Sequence, residues 1–75
     1  MTAFTVIDFE DGRALEDLHP TTSKARTPAG FLRLFYARWP DAPRGDFYAV
    51  TMLDDSGADI YTKTHKRVAA FRARH

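Results

Sequence analysis

The chain has 75 residues, of which 44% are hydrophobic, 28% charged and 13% aromatic: one small domain with a thin but aromatic core, and too apolar for a disordered segment. It has no cysteine, which excludes disulfides, thiolate metal sites and cysteine nucleophiles, and no apolar run nears the roughly 18 residues of a membrane-spanning helix. Its net charge of +1 hides a division: Lys and Arg counted against Asp and Glu give −4 over residues 1–20, 0 over 21–59 and +5 over 60–75.

Residues 3–10 mix β-branched and aromatic side chains, the composition of a strand. Asp11-Gly12 follows and favours a tight type I′ hairpin turn, whose two central residues need positive φ. Residues 13–18 read as the returning strand or as a short helix or loop, because Leu15 and Leu18 fit both periods. Residues 19–27 are polar and contain Pro20, so a loop is expected. Thr27-Pro28 then opens a helix, with a hydroxyl N-cap and proline at the first helical position. Pro40 stops it after Trp39. Phe31, Leu32, Phe35 and Trp39 share one face of that helix.

Residues 46–53 form the clearest strand, apolar on both faces and so expected at the centre of a sheet. A turn at 54–57 leads to a more polar partner strand over 58–64. Residues 65–74 are expected to form a second helix, with Thr64 as N-cap, Val68 and Phe71 as its apolar stripe, and cations near its C-terminus. The resulting order, β(β)-α-β-β-α, predicts one α+β domain over 1–75: an antiparallel sheet of three or four strands with two helices.

The residues do not spell an active site. Ser23 and Ser56 lie outside any nucleophile-elbow pattern, and the isolated glycines form no phosphate-binding loop. His19, His65 and His75 lack metal-ligand spacing, and Asp54, Asp55 and Asp59 miss the offsets of a calcium loop, so these aspartates read as a solvated turn. Arg44-Gly45-Asp46 matches an adhesion tripeptide by chance alone. No catalytic residue, metal or cofactor is expected.

Two surfaces remain as candidates. Tyr36, Trp39, Tyr48 and Tyr61 exceed what a thin core holds, and Tyr, Trp and Arg dominate interface hot spots. Tyr36, Arg38 and Trp39, with the acidic Asp8, Glu10 and Asp11, therefore make a candidate protein-binding surface. Lys63, Lys66, Arg67, Arg72 and Arg74 on the expected C-terminal helix make the alternative, a phosphate-contacting face.

The expectation is a small non-catalytic protein-binding module, an inhibitor or adaptor of a larger bacterial complex. Phage-encoded inhibitors of host defence, anti-CRISPR proteins among them, share this size and style. The alternative is a nucleic-acid-binding domain, and a homodimer is a third reading. No basic stretch followed by an apolar one marks a secretory signal at the N-terminus, so a cytoplasmic protein is expected.

Overall fold

Six β-strands and one short helix make up the described part of the chain, residues 1–17, 20–44, 48–54 and 57–74 of a computed structural model. Strand β1 (Thr2–Glu10) turns at Asp11 and Gly12, both with positive φ (52° and 78°), as the hairpin requires, into β2 (Arg13–Asp17). The strand reading of this segment therefore holds, with Leu18 outside the described residues. The expected loop contains a further strand, β3 (Thr21–Ser23), which pairs with the start of β1 while β2 pairs with its end.

Helix α1 (Pro28–Arg38) begins as expected: Thr27 Oγ1 accepts from the Gly30 N–H at 3.1 Å, which satisfies one of the first turn's orphan donors. The chain then crosses to the far edge of the sheet. Strands β4 (Tyr48–Leu53), β5 (Gly57–Thr62) and β6 (Arg67–Ala73) return as an antiparallel meander until β6 meets β1. The strand order is β2-β1-β6-β5-β4, with β3 beside β1.

Two expectations are overturned. The protein is mostly β, one sheet of six antiparallel strands and one short helix among the described residues, rather than an α+β fold with two helices. The segment expected as the C-terminal helix is β6, hydrogen-bonded to β1 on one side and β5 on the other. Thr64 caps no helix; the Lys66 N–H instead donates to Thr62 Oγ1 at 3.1 Å in the β5–β6 turn, where His65 has φ 66°. In addition, β4 lies at an edge, where a central strand was expected.

The core lies between α1 and one face of the sheet. Phe4 and Val6 of β1, Ala58 and Ile60 of β5, and Ala69 and Phe71 of β6 are buried there beneath Phe31 and Phe35. Phe31 is the hub, with ring centroids 5.4 Å from Phe4 (edge-on) and 5.7 Å from Phe71. The alanines let the helix approach the sheet closely enough for these rings to meet.

The other face of the sheet carries no helix. Cross-strand pairing sets Thr5, Arg72, Gly57 and Leu53 in one row across it, and Ile7, Ala70, Asp59 and Thr51 in the next. Asp59, read from sequence as part of a solvated turn with Asp54 and Asp55, is 5% exposed on β5. Asp54 is exposed in the turn, and Asp55 lies outside the described residues.

Arg72 Nη2 donates to Asp59 Oδ1 at 2.6 Å, and Arg67 Nη1 lies 3.7 Å from Oδ2. Arg67 has the strand parity of Ala69 and Phe71, which would aim it into the core. A register shift opposite Ile60 and Tyr61 makes Val68 an extra residue and turns Arg67 to the helix-free face, 4.1 Å over the Phe9 ring. The two arginine stems roof this face, while their guanidinium groups keep access to water.

Gly57, at φ 125°, sits where a Cβ would come 1.8 Å from the Phe71 carbonyl oxygen, so β5 and β6 could not start their pairing with any side chain there.

Two stability measurements check this packing. Phe31→Ala should cost about 3–5 kcal/mol, a large share of the roughly 4–11 kcal/mol that 75 residues of average stability would hold. A urea titration should show the midpoint sharply lowered, and a cost under about 1 kcal/mol would remove Phe31 as the hub. Arg72→Met should cost more than Asp59→Asn, about 2–4 against 1–2 kcal/mol, because it leaves a buried carboxylate with only the more distant Arg67 as a partner. The reverse order would contradict a buried anion held by Arg72.

Candidate protein-binding cleft

Helix α1 ends at Trp39, whose backbone N–H still donates to Phe35 O at 2.8 Å, and Pro40 carries the chain away. The Ala42 N–H returns to Trp39 O at 3.1 Å, folding residues 39–42 into a turn beside the sheet. Between this turn and the sheet lies an open cleft of about 380 Å³. Phe35, Trp39, Tyr48 and Val68 form its apolar walls, and Asp8, Arg38 and Asp41 supply its charges. The Phe35 ring stands 5.2 Å from Trp39 and 4.7 Å from Tyr48, centroid to centroid, so the three aromatics form one continuous surface.

Half of the expected protein-binding residues meet here. Asp8 reaches the cleft from β1, since it shares the parity of Phe4 and Val6, while Arg38 and Trp39 come from the end of α1. The Arg38 guanidinium lies 5.5 Å from the Trp39 ring centroid. Tyr36 borders the same aromatic group without lining the cleft: its ring is 6.0 Å from Tyr48, its hydroxyl donates to Pro43 O at 3.4 Å, and Arg44 stacks over it at 4.4 Å.

Glu10 and Asp11 lie elsewhere, exposed at the end of β1, and Asp11 Oδ1 pairs with Lys66 Nζ at 3.0 Å. The sequence groups the cleft's Tyr48 with Trp39 as an aromatic beyond the needs of a thin core, whereas Val68 reads as part of a helix stripe. Nothing local in the sequence places either beside Trp39, because they meet only in the folded sheet.

The expected phosphate-contacting residues do not lie on a helix, and only some of them stand together. Without the helix, Arg67 and Arg72 turn to Asp59, and Lys66 turns to Asp11. Lys63 and Arg74 stand beyond opposite ends of β6, roughly 20 Å apart at 3.3 Å per strand residue. Of the histidines read for metal spacing, His65 is an exposed turn residue, and His19 and His75 lie outside the described residues, as does the Gly45-Asp46 part of the tripeptide. Among the described residues, no three His, Asp or Glu side chains stand close enough to share a metal ion.

The chain matches no family model, no curated protein and no solved structure. The cleft therefore has to be read from its own chemistry.

Burial, and secondarily the neighbouring Tyr36, pushes the Tyr48 phenol above the usual tyrosine value of 10.0. The folded protein thus holds this proton more tightly than the unfolded chain does. The stability this gives is complete below about pH 10 and falls as pH rises through the folded-state value. Urea midpoints compared at about pH 9 and pH 11 should fall further for the wild type than for Tyr48→Phe. Equal falls would show that Tyr48 is not the group responsible.

Proposed function

We propose that the protein is a non-catalytic protein-binding module whose contact centre is the Trp39 cleft. The observation that carries this reading is the convergence of Asp8, Arg38 and Trp39, from two separate elements, on one apolar concavity. A partly buried tryptophan in a pocket rimmed by charge matches the make-up of interface hot spots, where an apolar contact is shielded from water by polar neighbours. The charges differ in sign, with Asp8 and Asp41 against Arg38, so they select a partner's orientation more than they attract bulk polyanions.

Binding without chemistry is the work of an inhibitor or adaptor of a larger assembly, and that is the role proposed. The ion pairs of Lys66, Arg67 and Arg72 favour this reading over a nucleic-acid one, because cations already facing carboxylates release fewer counterions on meeting phosphate.

A photo-crosslinking residue placed at Ala42, on the turn that borders the cleft, is the test. In the cells that produce the protein it should yield one discrete protein adduct. Trp39→Ala should abolish that adduct, and the same residue at Arg33, on the other flank of α1, should not give it. With the adduct's protein purified, Trp39→Ala should weaken binding about 30-fold or more, the equivalent of 2 kcal/mol. A chain that gives no Trp39-dependent adduct, yet binds labelled DNA or RNA with steep salt dependence, would replace this reading with the nucleic-acid one.

A further inference from the structure

The two edges of the sheet are built differently. On one side β1 is covered by two short strands, β2, whose pairing shifts register between Ile7 and Phe9, and β3, with a segment containing Pro20 between them. Arg13, Glu16 and Asp17 lie in β2. Interruption, proline and charge are the means by which sheet edges avoid further pairing. The opposite edge, β4, has none of them.

The sequence Tyr-Ala-Val-Thr-Met-Leu of β4 contains no charge, glycine or proline, and it pairs with β5 in unbroken register from Tyr48↔Thr62 to Leu53↔Gly57. Among the described residues, no hydrogen bond reaches the backbone groups on its outer side. Ala49 and Thr51, on the helix-free side, are small and exposed, leaving that edge open.

We propose that β4 pairs antiparallel with β4 of a second copy of this chain, joining the two sheets into one across a two-fold axis. The ligand that matches a row of unpaired N–H and C=O groups is another strand. That strand is its own complement here. A two-fold axis normal to the sheet keeps Tyr48, Val50 and Met52 of both copies on the helix side, so partly buried apolar side chains meet their like, while Ala49 and Thr51 meet on the other face.

Charge selects the same arrangement. Asp54 follows β4 directly, and antiparallel pairing separates the two Asp54 carboxylates, which a parallel pair would set side by side. A domain of this size, with no cysteine to cross-link it, also gains stability from such an added contact.

Sedimentation of the intact chain tests the pairing. One strand edge is a small interface, so the 8.5 kDa mass should double with a midpoint in the range of about 10–100 µM. Thr51→Lys sets a charge on the exposed edge and should weaken association at least 10-fold, with far-UV circular dichroism and melting temperature of the monomer unchanged. Ala49→Lys should do the same and stands in if Thr51→Lys folds poorly. Leu15→Lys, which charges the half-exposed leucine on β2 at the opposite edge, should leave association intact. A monomer at every concentration, or a dimer that survives both β4 substitutions, would overturn the proposal.

Discussion

The pairing of the first strand with the last holds this molecule together. From Phe4↔Ala73 to Asp8↔Ala69, β1 and β6 join an N-terminal hairpin to a C-terminal meander. Closing a loop of some 60 residues costs entropy before any contact repays it. The return comes from the side chains that the pairing aligns. Val6 sits opposite Phe71, and the Phe4–Phe31–Phe71 ring cluster exists only when both strands lie beneath the helix. Nearly every other feature, including the cleft, presupposes this contact.

The same pairing explains the fate of the divided charge. An acidic beginning and a basic end suggest two surfaces of opposite sign, but adjacent strands bring them side by side. Asp11 meets Lys66 across the turns, and Asp59, from the middle of the chain, holds Arg67 and Arg72. These ions also solve a problem of architecture: one helix can cover only one face of a six-stranded sheet. Arginine stems drawn over the second face by a buried carboxylate shield Ala70 and Phe9 without a second apolar layer. The exposed Asp11–Lys66 pair contributes little to stability; the buried carboxylate is the consequential one.

The cleft arises where the helix stops short of the sheet edge. Trp39 caps α1 and the chain must then travel to β4, so the indole, Tyr48 and Val68 enclose a space that no core side chain fills. Its floor belongs to the structural core through Phe35, which is buried, while its rim includes the exposed Arg38 and Asp41. Rigid support beneath an adaptable rim is the arrangement that lets a small domain present a defined contact surface.

Much of the local grammar was legible. Asp11-Gly12 announced its turn, Thr27-Pro28 its helix cap, and the apolar strand and its more polar partner on either side of residues 54–57 their hairpin, because each depends on interactions within a few residues. Trp39, Arg38 and Asp8 could be singled out by type, as an aromatic and charges beyond the needs of a thin core. That they share a cleft while Glu10 and Asp11 lie apart could not be read, since strand parity and the end of a helix decide it together.

The sequence by itself determined a small aromatic-cored domain, the start and stop of α1, and the turns at Asp11-Gly12 and after Leu53. The tertiary structure alone decided that Val-Ala-Ala-Phe-Arg-Ala is a strand. Alanine and arginine favour a helix by only tenths of a kcal/mol per residue, whereas strand pairing on both sides and burial of Phe71 contribute several kcal/mol together. A strand flanked on both sides and covered on both faces, with Ala69 and Ala70 each fully buried, also loses the alternation by which a sequence advertises it. The placement of β4 at the edge and the turn of Arg67 to the helix-free face likewise follow from which strands meet, a choice made by long-range packing.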